Sequence, residues 1–364
     1  MVDSVYIHIP FCLSKCNYCS FVSYEGVLDE KKDEYLAILK KEIEHSYKQE
    51  PLKTLYFGGG TPSLLDVADL ESLIGCFNLS DNVEITIEVN PETVDFEYFE
   101  GLRQIGINRI SIGVQTFDDE ILKLIGRAHN AKRAVDTVNE VQKAGFENIS
   151  LDFIYGLPSQ TIDGFVSDLK NAISLGVKHI SLYGLKIDAD CKFSINPPEN
   201  LPDDDAQADM YLAAIQLMKE NGFLHYEISN FCKENYHSRH NLMYWESSEY
   251  YGFGAGAHGY LDGVRYANFN CLEEYSTRYK QKEVSLYIAK NNMLEEKIYL
   301  GFRKGSGINI SEINEKFDID FKSVYSDVLA KYTQSGHILE TTDGYKLSEN
   351  GFLLSNIILA DFLA

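Results

Sequence analysis

The sequence predicts an α/β protein: an incomplete parallel (β/α)6-type barrel followed by a small helical, winged-helix-like C-terminal domain. Short β-rich runs alternate with helical patterns through the first half of the chain, as parallel βαβ units with right-handed crossovers do. Polar or glycine-rich signatures at 12–19, 58–63, 88–91, 115, 152–158 and 183–184 all fall at or just past the C-terminal ends of the predicted strands. That is the face on which barrels of this kind build active sites. Near the end, a helix–helix–hairpin order suggests the winged-helix unit.

The elements follow in order. A β-branched run at 4–9 ends at Pro10 and forms the first predicted strand. Residues 30–49 read as a long amphipathic helix, with Tyr35, Leu36, Leu39, Ile43 and Tyr47 near helical spacing. The second strand, 54–57, stops at three glycines, and a helix follows at 66–77. Strand 83–89, helix 96–105 and strand 109–114 lead into a helical stretch at 118–144 that breaks near Gly126. Residues 148–154, 162–175 and 179–183 supply the fifth strand, a helix and the sixth strand.

After Asp188 the regularity weakens. Prolines and aspartates at 196–205 lead into a helix at 206–221, and 224–275 is rich in Tyr, His, Asn and Gly with no clear period. The tail gives helices at 291–302, 311–317 and 321–333, two short strands about Gly344 and a final apolar helix. The expected division is a core barrel over 1–230, a connecting segment over 231–285 and a helical domain over 286–364.

A chain of 364 residues, 45% hydrophobic, can bury a full core without disulfide staples. Its seven cysteines are odd in number, with three clustered, which argues for a reducing compartment. Cys76, Cys191, Cys232 and Cys271 lack ligand-like spacing and read as small hydrophobes. No basic region precedes an apolar run at the start, and no stretch is apolar enough to span a bilayer. The net charge of −22, with no Lys/Arg block, argues against nucleic acid as a partner. A cytoplasmic protein without a transmembrane segment is the expectation.

Cys12, Cys16 and Cys19 form a C-x3-C-x2-C run with no fourth cysteine close by. Three thiolates on one loop hold three irons of a [4Fe-4S] cluster and leave the fourth open to a small molecule. A closed structural site takes four protein ligands; on the residues alone, a zinc knuckle is the alternative. Gly58-Gly-Gly-Thr-Pro-Ser63 lets backbone approach a ligand, or makes a tight turn. No Walker lysine follows it, which argues against a phosphate loop. Glu88, late in an apolar strand, needs either a structural Arg or a ligand. Gly252-Phe-Gly-Ala-Gly-Ala257 imitates a dinucleotide fingerprint but follows no clear strand, so the nicotinamide reading is rejected. Arg239-His-Asn-Leu-Met-Tyr-Trp245 offers a histidine able to ligate iron beside aromatic rings, or a satisfied core histidine.

With Tyr6-Ile-His-Ile-Pro-Phe before Cys12 and Tyr18 before Cys19, the chain resembles the radical S-adenosylmethionine superfamily, in the branch of oxygen-independent coproporphyrinogen dehydrogenase. The resemblance covers nearly the whole chain. It implies that S-adenosylmethionine chelates the open iron, and that an electron from the cluster, itself fed by a flavodoxin- or ferredoxin-type donor, cleaves the sulfonium bond to a 5′-deoxyadenosyl radical. It implies adenosylmethionine contacts for Tyr6, Tyr18, Gly59, Gly60, Thr61, Glu88, Gln115, Arg127, Asp152, Gly184, Ala257 and His258, including a second molecule in that branch. For Arg127 an ion pair on a helix is the alternative.

The segment His240-Asn-x-x-Tyr244-Trp245 matches the signature of the heme chaperones that branched from those dehydrogenases, where it is linked to heme binding. His258 and His237 are rival ligands. Two departures from the dehydrogenases point the same way. The chain has no long extension before its first strand, and Ser20-Phe21-Val22 follows the third cysteine where they carry another. The resemblance therefore implies a radical S-adenosylmethionine protein that binds heme and passes it to apo-hemoproteins, with room for peripheral membrane contact. The alternative activity is oxidative decarboxylation of coproporphyrinogen III propionates to vinyls.

Overall fold

A computed structural model describes residues 2–27, 29–281, 283–287 and 290–363. The chain divides into two compact units, Met1–Met210 with Glu249–Tyr287, and Tyr211–Ser248 with Ile288–Ala364.

In the larger unit, six parallel strands follow one another in chain order: β1 (Ser4–Ile9), β2 (Leu52–Gly59), β3 (Leu79–Val89), β4 (Arg109–Gln115), β5 (Asn148–Tyr155) and β6 (His179–Gly184). Ile7, Leu55, Phe57, Ile87, Ile110, Ile112, Leu151, Phe153 and Ile180 are all buried, as expected of parallel strands covered on both faces. The crossovers run through helices that include Asp29–Ser46, Val67–Ile74, Phe96–Gln104, Ala131–Lys143 and Ile162–Ser174. Side chains start several of them: Asp95, Asn130 and Thr161 each accept a hydrogen bond from a first-turn amide. The expected break at Gly126 is real. A short helix, Asp119–Leu124, ends there, and Gly126 takes φ +76° before the next helix begins.

A seventh parallel strand, β7 (Tyr251–Phe253), pairs with the free side of β1. It lies inside the stretch that shows no sequence period, and it carries Gly252 of the glycine run. The chain then forms the antiparallel pair His258–Leu261 and Val264–Ala267. The compact units thus depart from the expected boundaries: 211–248 belongs to the smaller unit, while 249–287 returns to the barrel. Strand pairing with β1 recruits that return, a long-range contact that no local pattern announces.

A buried carboxylate fixes the returning segment. Glu42, fully buried on the first helix, accepts hydrogen bonds from Gly254 N (2.9 Å), Asn268 Nδ2 (2.8 Å) and Tyr275 Oη (2.7 Å). Beside it, the Tyr35 hydroxyl donates to the His8 carbonyl (2.6 Å) and accepts from Ala255 N (3.1 Å). Gly254 can approach so closely because it lacks a Cβ and takes φ +99°.

The smaller unit contains the hairpin Leu224–Glu227 and Asn230–Cys232, the helix Arg239–Trp245 and the C-terminal helices. A three-stranded sheet in the order Ile308–Asn309, Gly344–Leu347, Ile338–Glu340 accompanies the helices Ile310–Phe317 and Ser326–Gln334, matching the expected helix–helix–hairpin order. The expected final helix is two short ones, Glu349–Leu353 and Ser355–Ala360. No helix among the described residues is long and apolar enough to cross a membrane.

Glu42→Ala leaves three buried donors without their acceptor, so it is expected to destabilise the chain by about 3 kcal/mol or more. Urea denaturation followed by far-ultraviolet circular dichroism checks this; a loss below about 1 kcal/mol would contradict the account of the returning segment.

Candidate functional site

The C-terminal ends of the parallel strands surround a cavity of about 390 Å3. Cys12, Cys16, Cys19, Tyr18, Gly59, Gly60, Thr61, Glu88, Gln115, Arg127, Asp152 and Gly184 all line it. These residues come from every strand end between β1 and β6, so the topology assembles them from far apart in sequence.

The cysteine loop follows β1 and is tied to its neighbours mainly through backbone. Asn17 N donates to Ile125 O (2.9 Å), Asn17 Nδ2 to Leu124 O (2.9 Å), and Phe193 N to Asn17 O (2.9 Å). The Ser20 hydroxyl donates to Asp188 (2.9 Å), and Lys192 Nζ to the Lys15 carbonyl (3.0 Å). The three cysteines are partly exposed and unpaired. Thr61 Oγ1 points at Cys12 Sγ (3.5 Å) and Arg127 Nη1 at Cys16 Sγ (3.6 Å). Burial pushes the Cys12 and Cys19 thiols up, a penalty that metal ligation reverses by taking the thiolate. Among the described residues, no group of three or more His, Cys, Asp or Glu side chains is placed to hold a single metal ion. A four-iron cube takes its cysteines at separate corners.

Each glycine of the 58–60 run makes a different close approach. A Cβ at Gly58 would lie 3.0 Å from both Tyr6 and Tyr56 rings and 3.1 Å from Glu88 Oε1. At Gly59, with φ +117°, it would meet the His8 ring at 2.7 Å. At Gly60 it would meet the Phe11 carbonyl at 2.7 Å and Cys12 Sγ at 3.1 Å. His8 in turn bonds Tyr6 Oη through Nδ1 (3.0 Å) and the Val22 carbonyl through Nε2 (2.8 Å). Burial lowers its pKa to about 4, so the ring is neutral and donates from Nε2 to the far arm of the cysteine loop.

Two partly buried carboxylates face the cavity. Glu88 accepts from Tyr56 Oη (2.8 Å) and Gly59 N (3.3 Å). Burial raises its pKa to about 7, with the Tyr56 hydrogen bond opposing and the charge of Asp152 adding to the rise. Asp152 is also pushed up by burial, against hydrogen bonds from Ser181, Ser111 and Ser150. Arg127 donates through Nη2 to Asn90 Oδ1 (2.7 Å) and the Gly113 carbonyl (2.7 Å), while its buried Nε has no partner. Burial opposes its charge, but Tyr18, Cys16 and Glu92 outweigh that and raise its pKa. Gln115 ends β4 at φ +68°, a left-handed conformation uncommon for a residue with a Cβ.

Not every expected residue reaches this wall. Tyr6 stands behind it, 6.1 Å from the Tyr56 ring. Ala257 is buried, its carbonyl taken by Asn268 N (2.8 Å), and His258 is exposed on its strand; neither lines the cavity. Sequence reasoning missed Tyr56, Asn90, Glu92 and Ser111, which do line it. Strand parity gives a signal for one of them: Tyr56 shares the face of Gly58 on β2.

His240, Tyr244 and Trp245 lie together on the seven-residue helix Arg239–Trp245 of the smaller unit, capped by Ser238. His240 is 1% exposed, and its Nε2 meets Tyr244 Oη at 2.9 Å. The ring is thus a buried group that must be uncovered before it can ligate iron. His237 packs edge-on against Tyr226 at 4.8 Å.

Comparison with known proteins decides the family. Residues 6–172 match the radical SAM superfamily and 288–354 the HemN C-terminal domain. The chain is 36% identical to the heme chaperone HemW of Lactococcus lactis, over 99% of this chain and 97% of that one. The chain belongs to the HemW family. The Bacillus subtilis member is 35% identical over 100% of this chain and 99% of its own. The solved coproporphyrinogen III oxidase HemN of Escherichia coli superposes with TM-score 0.87 at 22% identity, covering 99% of this chain and 90% of that one. That likeness establishes the α/β radical SAM fold.

Membership of the radical SAM superfamily implies a [4Fe-4S] cluster and S-adenosylmethionine. The residues fit both: three thiols on one loop, a Gly60 cradle that a Cβ would fill, and an unpartnered Arg127 Nε at the cavity wall.

If Glu88 contacts S-adenosylmethionine, as the resemblance implies, its raised pKa predicts a pH-dependent affinity for that ligand, measured by calorimetry. Only the carboxylate accepts hydrogen bonds at both oxygens, and with a pKa of about 7 it is lost as pH falls. The advantage of the parent chain over Glu88→Gln should shrink about tenfold between pH 8 and pH 6. A constant ratio would contradict the assignment.

Proposed function

We propose that this chain binds heme and passes it to apo-hemoproteins, using a [4Fe-4S] cluster on Cys12, Cys16 and Cys19 and S-adenosylmethionine in the adjoining cavity. The observation that carries the reading is its identity, along nearly the whole length, with proteins named heme chaperone HemW. The retained His240-Asn-x-x-Tyr244-Trp245 helix adds to it. A cytoplasmic setting belongs to the same reading, since partly exposed free thiols persist in reducing compartments.

In this reading Gly59, Gly60 and Thr61 present backbone and hydroxyl groups to the methionine end of the ligand, and Glu88 accepts from its amino group. Gln115, Arg127 and Asp152 hold the adenosyl end, and Arg127 Nε gains the partner it lacks. Tyr18, packed beside Leu185 on the apolar cluster of Leu122, Ile125 and Leu157, walls the cavity on the cysteine side. Tyr6, Ala257 and His258 act at one remove from the cavity wall. The cluster, fed by a flavodoxin- or ferredoxin-type donor, supplies one-electron chemistry and an open iron when bound.

His240 takes the heme iron, with Tyr244 and Trp245 against the macrocycle face. Because the ring is buried and engaged by Tyr244, capture includes a step in which the helix uncovers it.

The test uses anaerobic protein with a rebuilt cluster. Titrated heme is expected to shift its Soret band in the parent and not in His240→Ala, and the observed binding rate in the parent is expected to level off with heme concentration as uncovering becomes limiting. The same preparation with S-adenosylmethionine, reductant and coproporphyrinogen III is expected to give no vinyl product. Turnover to vinyls would overturn the chaperone reading in favour of a dehydrogenase, and an unchanged spectrum in His240→Ala would move the ligand to His258 or His237.

A further inference from the structure

The smaller unit holds a carboxylate with no assigned task. Glu227 ends the strand Leu224–Glu227 and is 0% exposed. Among the described residues, one hydrogen bond of normal geometry reaches it, from Ser229 N to Oε2 at 3.3 Å. Its Oε1 has no partner, and neither have Asn230 Oδ1, Trp245 Nε1 and Arg303 Nε. Burial raises the Glu227 pKa to about 7, while Ser229 N, Asn230, Trp245 and Arg303 all favour its charged form, so these groups lie around one carboxylate. A fully buried carboxyl whose donors stand around it without well-aligned hydrogen bonds calls for an explanation beyond packing.

The backbone fixes this arrangement. Glu227 bridges Lys304 in antiparallel pairing, Ile228 N donates to Arg303 O (2.9 Å), and Gly305 N donates to Tyr226 O (2.8 Å). Arg303 is thereby set beside the strand. Its guanidinium stands 5.8 Å from the Trp245 ring centre and 4.6 Å from that of Tyr299, and Nη2 is held by Tyr299 Oη (2.5 Å) and Asn356 Oδ1 (2.9 Å). Trp245 is the last residue of the helix that carries His240, and it directly follows Tyr244, whose hydroxyl holds the His240 ring.

We propose that Glu227 is a positioning residue which, with Arg303, holds the Trp245 indole at the end of the Arg239–Trp245 helix and so sets Tyr244 and His240 for heme. The inference rests on the heme reading above. Glu227 acts through Trp245, whose ring centre lies 5.8 Å from the Arg303 guanidinium.

The experiment compares the full chain, cluster rebuilt, with Glu227→Gln, Arg303→Met and the double variant. Trp245 is the sole tryptophan, so its emission reports this site alone. Each single variant is expected to shift that emission and to weaken heme binding, read at the Soret band, by roughly tenfold, and the double variant to be no weaker than the worse single one. Glu227→Gln keeps the size and shape of the side chain, so a far-ultraviolet circular dichroism spectrum like the parent's separates positioning from folding. Affinity for S-adenosylmethionine in the larger unit should be unchanged. Parent-like heme affinity and emission in Glu227→Gln and Arg303→Met would overturn the positioning role while leaving the heme reading intact. Additive losses in the double variant would also overturn it. A parent chain that binds no heme would overturn both.

Discussion

The ring of His8 lies 2.7 Å from where a Cβ at Gly59 would stand, and the cavity wall is organised around that contact. β1 and β2 are neighbouring parallel strands, so their ends arrive side by side. One then turns into the cysteine loop and the other into the glycine run. Neutral His8, packed against Gly59 of the glycine run, reaches Tyr6 at one nitrogen and the Val22 carbonyl beyond the cysteine loop at the other. With Gly58 leaving room for Glu88 and Gly60 for Cys12, the same three residues set where a carboxylate and a thiol face the cavity. Any side chain there would push apart groups whose separation the chemistry depends on.

The same crowding makes the electrostatics work. Glu88, Asp152 and Arg127 are partly buried at the strand ends, where screening by water is reduced and each charge depends on its neighbours. Hydroxyls of Tyr56, Ser111 and Ser150 hold the two acids, while Arg127 spans Asn90, Gly113 and Cys16. The barrel thus presents acids of raised pKa and a firmly charged guanidinium on one wall, suited to a ligand carrying both an amino group and a carboxylate.

Much of this was legible in the sequence because parallel strands and their helices are local patterns, and because strand ends show their chemistry as breaks in an apolar run. The cysteine spacing, the glycine run and the lone Glu88 all follow that logic. What escaped depends on long-range pairing. β7 is three residues long and has no period, and only its register against β1 makes it a strand. The return of 249–287 to the barrel goes with it, held by Glu42, which reads locally as one more acid on a helix. Ala257 and His258 carried expectations from a resemblance, but neither lines the cavity: His258 pairs with Ala267, and the Ala257 carbonyl accepts from Asn268 N. His240 shows the opposite limit: its motif is plain in sequence, but its burial against Tyr244 is a property of the folded helix.

The central claim is that three cysteines hold a four-iron cluster whose remaining iron is open to S-adenosylmethionine inside this cavity. Electron paramagnetic resonance of the anaerobically reduced protein, recorded with and without S-adenosylmethionine, tests it directly. The account predicts that the ligand changes the cluster signal in the parent chain and that Cys16→Ala shows no cluster signal to change. A signal indifferent to S-adenosylmethionine, or one that survives in Cys16→Ala, would contradict it.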